Sequence, residues 1–133
     1  MLIGGGSDAA IRRVAHLGDG WLSGGGGPDE FTLYAGKVRA AWAEADRGGS
    51  PRLLAVVRFA LGPGAREKAE ASHRAYYTFR PSPRGDPTGG ALLTVDAIQQ
   101  AVGVYGEAGC YELIFSPGAA DITQLEQLTR ALF

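Results

Sequence analysis

Residues 2–22 constrain this chain more than any other stretch. Leu2-Ile3 runs into Gly4-Gly5-Gly6, Ser7 can cap a helix that ends at Gly18, and Gly20-Trp21-Leu22-Ser23 follows as a short strand. Two strands joined through a helix in so few residues form a βαβ unit, which sets the strands parallel. The junction also presents backbone N–H groups at the positive end of a helix, where a phosphate or other anion can sit. The plainer alternative is that Gly4, Gly5 and Gly6 only let the chain turn tightly. Neither G-x-G-x-x-G nor the P-loop pattern is present, so spacing alone does not choose between them. Arg12 and Arg13 are either countercharges for an anion or solvated side chains. Ile11, Val14 and Leu17 are expected to form the buried face of this first helix.

The same alternation continues. Ser23 to Pro28 is a glycine loop whose proline suits a helix start. Residues 29–47 space Phe31, Tyr34, Val38, Ala41, Trp42 and Ala45 as an amphipathic helix. Leu53 to Leu61 is apolar on both alternating faces, as expected of a parallel strand covered on both sides. Arg58 interrupts it and must reach water, an acidic partner or an anionic ligand. Residues 65–79 are expected to be helical, with Ala69, His73, Tyr76 and Phe79 on one face. Arg80 to Gly90 carries three prolines and three glycines, so it is a loop, either a lid or a disordered connection. Thr94 can cap a helix that buries Val95, Ile98, Val102 and Tyr105. Cys110 to Phe115 is the last strand. Asp121 and Gln124 match a capping box for a closing helix with Ile122, Leu125, Leu128 and Leu132 inward. The expected order is β-α-β-α-β-α-α-β-α over a single α/β domain, 1–133. Its four parallel strands are too few for a closed eight-stranded barrel, so the sheet has open edges.

Chemistry-bearing residues are sparse. His16 and His73 fall on different helices, Ser116 lacks a G-x-S-x-G setting, and no H-E-x-x-H or carboxylate cluster occurs, which leaves catalytic residues unassigned and no metal expected. Cys110 is the only cysteine; it reads as a small buried hydrophobe in a chain suited to a reducing cytoplasm. Thirteen bases balance fourteen acids, so no basic face for nucleic acid is implied. No apolar run approaches the roughly 20 residues that cross a bilayer.

Gly4-Gly5-Gly6-Ser7, the run Ala10-Ile11-Arg12-Arg13-Val14-Ala15-His16-Leu17-Gly18-Asp19-Gly20-Trp21-Leu22 and the stretch Tyr105 to Pro117 resemble the later half of the bacterial luciferase-like monooxygenase family. The resemblance implies an α/β fold that is a partial (β/α) barrel, the second half of a TIM barrel. It implies a flavin-dependent oxidoreductase using FMN or coenzyme F420, with Gly4, Gly5, Gly6 and Ser7 at the cofactor phosphate and Asp19-Gly20 as a structural turn. Because the earlier strands are absent, it further implies a truncated enzyme, a half-barrel completed by a partner or second copy, or a noncatalytic binding domain remodelled from that scaffold. On this reading Gly5→Val and Gly6→Val abolish ligand binding and leave the fold stable.

Overall fold

The computed structural model describes residues 1–78 and 85–133. Phe79 and the first part of the expected loop, Arg80 to Arg84, lie outside the described residues. The elements follow the expected order: β1 (Leu2–Gly4), α1 (Asp8–Leu17), β2 (Gly20–Ser23), α2 (Gly27–Glu44), β3 (Arg52–Phe59), α3 (Ala65–Tyr76), α4 (Val95–Glu107), β4 (Glu112–Pro117) and α5 (Ile122–Leu132). The four parallel strands form one sheet in sequential order β1-β2-β3-β4. Ile3 pairs with Trp21 and Trp21 with Leu53. The Tyr111 N–H donates to the Leu53 carbonyl and the Gly118 N–H to the Phe59 carbonyl, both at 2.7 Å. None of the described helices is long and apolar enough to cross a membrane.

The chain divides into two compact units, Met1–Val56 with Gly103–Ile114, and Val57–Val102 with Phe115–Phe133. In the first, Ala10, Ile11, Val14 and Ala15 of α1, Trp21 of β2, and Phe31, Ala35, Val38 and Trp42 of α2 are buried. Trp21 and Phe31 lie 5.6 Å apart between ring centroids, and Phe31 meets the edge of Tyr105 at 5.3 Å. Leu17, expected inside, is 65% exposed. Ile11 and Val14 centre the buried stripe, with Ala10 and Ala15 at its margins, and Leu17 lies about 90° from that centre at 100° per residue. The end of α1 is closed instead by Arg47. Its guanidinium stacks on Trp42, 3.8 Å from the ring centroid, and donates to the carbonyls of Ala15 (3.1 Å) and Gly18 (2.6 Å). A cation there satisfies carbonyls the helix leaves unpaired and complements its dipole.

In the second unit Phe59, Leu61, Ile98 and Ala131 form the core, with Leu92, Phe115, Leu128 and Leu132 packed against it. Val95 and Val102 are more exposed than their spacing implied, while Ile98 and Ala101 carry the contact. The closing helix departs further. Asp121 caps α5 by accepting from the Thr123 N–H at 3.0 Å, but Gln124 does not complete a capping box. It is fully buried, accepts from the Leu61 N–H at 2.9 Å and donates to the Leu61 carbonyl at 3.0 Å. β3 has ended at Phe59, so the Leu61 backbone lacks a ladder partner and the amide side chain supplies one. That contact turns α5 so that Ile122 is 69% exposed and Leu125 57%.

Candidate functional site

The candidate site is the turn after β1. Gly4 closes the strand opposite Leu22. Gly5 follows at φ +104°, a conformation that any residue with a side chain adopts only under strain. Gly6 lies under the hydroxyl end of Tyr34: a Cβ on Gly6 would stand 2.8 Å from Tyr34 Cζ. Ser7 is the N-cap of α1; its Oγ accepts from the Ala10 N–H at 3.2 Å and its carbonyl from the Ile11 N–H at 3.0 Å. The amides of Asp8 and Ala9 are first-turn donors that the helix itself does not pair.

The turn is held from β2 and α2. Trp21 Nε1 donates to the Gly5 carbonyl at 2.9 Å, and Trp21 packs 6.2 Å from Tyr34 between ring centroids. Lys37, one helical turn beyond Tyr34, lies 5.4 Å from its ring centroid. Gly4, Gly5 and Ser7 are exposed and Gly6 is half-buried, so the structure brings the four predicted residues into one solvent-accessible turn. Arg12 and Arg13 are exposed and form no ion pair among the described residues. The loop after β2 stands at the same end of the neighbouring parallel strand, with Ser23 Oγ donating to the Gly25 carbonyl at 3.3 Å.

Electrostatically this turn suits an oxyanion. Helix N–H groups point outward from the cap, and the Gly5 carbonyl, which would repel an anion, is engaged by an indole N–H. The Asp8 carboxylate in the first turn of α1 opposes it. His16 is in the last turn of α1, away from the cap. Trp21 and Tyr34 are the residues that sequence reading missed. Spacing assigned one to a strand and the other to a helix face, and only strand register carries Trp21 next to the glycines. Valine at Gly5 would be strained at that φ, and at Gly6 it would displace the Tyr34 ring, so both substitutions disturb the turn itself as well as any ligand on it.

Elsewhere, Cys110 is half-buried and its Sγ lies 3.2 Å from the Glu112 carbonyl. Burial pushes its thiol up, with the Glu112 charge adding to the shift, which disfavours the nucleophilic thiolate. Glu112 is exposed and pairs with Arg52 at 3.8 Å. Among the described residues, no group of His, Cys, Asp and Glu is placed to hold a metal ion.

Comparison with known proteins decides the ancestry. The profile of the luciferase-like monooxygenases matches residues 1–108. This chain belongs to that family. An F420-dependent secondary alcohol dehydrogenase, solved with an F420-acetone adduct, superposes with a TM-score of 0.68 at 13% identity over 99% of this chain and 48% of its own. Apo-MsnO8 superposes at 0.60 and 17% identity, over 98% of this chain and 48% of its own. These likenesses show the fold: the luciferase-like chain described here has the architecture of about half of each. Uncharacterised proteins of Mycobacterium tuberculosis and Mycobacterium bovis are 45% identical over 47 residues, 35% of this chain and 16% of theirs.

Proposed function

We propose that this luciferase-like chain is part of a flavin- or F420-dependent oxidoreductase of a reducing cytoplasm, and that Gly4, Gly5, Gly6 and Ser7 hold the phosphate of FMN or F420. The observation that carries this is the hydrogen bond from Trp21 to the Gly5 carbonyl. It braces a left-handed glycine turn at a helix N-terminus while engaging the Gly5 carbonyl oxygen, which would oppose an anion. The residues fit a phosphate ester; none is assigned to the ring system or to substrate. When bound, the cofactor supplies the redox chemistry. This chain's own part is to hold the phosphate through the amides of the turn and to leave it open to solvent on the Gly4 side. The cavity that would receive the ring is completed by a second four-stranded half, from another segment or a second copy.

Ser7→Asp tests the site cleanly. Aspartate caps a helix as well as serine does, but its carboxylate occupies the place proposed for the phosphate. Titration with FMN and with F420, followed by fluorescence, is expected to show affinity at least about tenfold weaker than wild type, on the order of 1.4 kcal/mol. Asp8→Asn, which removes the opposing charge, is expected to tighten binding. Equal affinities for Ser7→Asp and wild type, or binding of neither cofactor, overturns the reading and favours a noncatalytic domain on the same scaffold.

A further inference from the structure

The second unit holds a polar group that phosphate binding leaves unused. His73, on α3, is 7% exposed, and neither its Nδ1 nor its Nε2 meets a hydrogen-bond partner among the described residues. A neutral imidazole offers one donor and one acceptor, and a buried polar atom left unpaired calls for an explanation. The ring packs on Tyr77, 4.7 Å between centroids, and Tyr77 packs on Tyr76 at 4.9 Å. Its remaining side is covered by Gly89, where a Cβ would run into the imidazole.

That cover is a self-contained turn. The Asp86 carboxylate accepts from the Thr88 N–H at 2.9 Å, the Thr88 hydroxyl at 2.8 Å and the Gly90 N–H at 3.0 Å. Thr88 is buried beneath it. The turn is tied to the end of β3 through Leu92, whose N–H donates to the Arg58 carbonyl at 2.8 Å and whose carbonyl accepts from the Ala60 N–H at 3.0 Å. Its own hydrogen bonds can therefore persist while it swings about Leu92. The Arg58 guanidinium lies 4.7 Å from the Tyr76 ring centroid and forms no ion pair among the described residues. Asp86 keeps its negative charge while accepting three hydrogen bonds, and forms no ion pair with Arg58. Arg66 on α3 adds a second positive charge near this turn.

We infer that His73 is a ligand-binding residue under a movable cover: the Asp86–Gly90 turn lifts, and an anionic oxygen, carboxylate or phosphate, takes the hydrogen bond that the ring lacks, with Arg58 supplying the countercharge. The site does not rest on the flavin reading, since it uses none of the residues from Gly4 to Ser7.

The chain has two histidines, and His16 is exposed, which makes it an internal standard. Carbethoxylation of the folded protein by diethyl pyrocarbonate, read by peptide mass spectrometry, is expected to modify His73 more slowly than His16. Acetate or inorganic phosphate at twice its Kd is expected to slow His73 about threefold, as simple occupancy requires, and His16 not at all. Protection by acetate alone identifies a carboxylate ligand and by phosphate alone a phosphate. Arg58→Gln is expected to lose the protection. Asp86→Ala, or Thr88→Val where the first does not fold, is expected to raise the unprotected His73 rate by loosening the cover. A His73 that reacts only in unfolded protein, or at a rate indifferent to both anions, is a packing residue and overturns the proposal.

Discussion

Gly6 and the Tyr34 ring compete for one volume, and that competition fixes what the turn tolerates. Gly6→Ala places a methyl 2.8 Å from Tyr34 Cζ, and overpacking of this kind costs about 1–3 kcal/mol. Urea unfolding is expected to show that loss, and Tyr34→Ala in the same chain is expected to remove most of the further cost of the Gly6 methyl, because the ring is its source. Ser7 as a cap was legible from its place between glycines and a periodic apolar run. The indole and phenol rings that brace the turn were not, since their approach depends on pairing between β1 and β2. Asp86 gives a second residue-level consequence. Hydrogen bonds from the Thr88 amide and hydroxyl hold its carboxyl below the ordinary value of 3.8, so the unfolded chain binds that proton more readily than the folded one. Its contribution to stability is in full above the ordinary value and is lost as pH falls through the folded one. Protection of the Thr88 and Gly90 amides against hydrogen exchange, taken relative to the intrinsic rate at each pH, is expected to fall in that window, and Asp86→Asn to flatten the dependence.

At the scale of elements, α5 shows why hydrophobic spacing places a helix but not its rotation. Ile122, Leu125, Leu128 and Leu132 share a face by periodicity, yet the helix seats Gln124 in the core because β3 stops at Phe59 and leaves Leu61 with two unpaired backbone groups. Gln124→Leu removes both hydrogen bonds in a buried setting, and the stranded N–H and carbonyl are expected to cost about 2–4 kcal/mol, read as a lower urea midpoint with unchanged slope. A gain in stability instead would show that apolar burial outweighs the pairing. Leu17 and Val102 make the same point more mildly: each lies to the side of a stripe whose centre is held by other residues, Ile11 and Val14 in α1, Ile98 and Tyr105 in α4. Element order, by contrast, was fully legible, because glycines and helix caps separate each strand from the helix that follows.

For the whole molecule, the sequential order β1-β2-β3-β4 leaves β1 and β4 as the sheet edges, and the chain accounts for 48% of the solved structures it superposes on. Parallel strands with open edges and exposed apolar side chains invite a partner. If two copies complete one another, light scattering is expected to give twice 13.9 kDa. Leu2→Lys, on the exposed β1 edge, is expected to shift that mass toward the monomer without loss of helical signal. A mass that stays at one chain in both variants points to the remaining half being supplied by another polypeptide segment. That four strands fall short of a closed eight-stranded barrel was readable from length and strand count, whereas what lies against the open edges depends on surfaces that a single sequence does not pair.

The bond between Trp21 and the Gly5 carbonyl has an optical corollary. The chain has two tryptophans, and the other, Trp42, stacks under the Arg47 guanidinium, 3.8 Å from its ring centroid. With Trp42 replaced by phenylalanine, the remaining emission comes from Trp21, whose indole N–H is bonded to the Gly5 carbonyl. The protein thus carries its own gauge of whether the glycine turn is empty or filled, readable without a label and even for a ligand that has no colour.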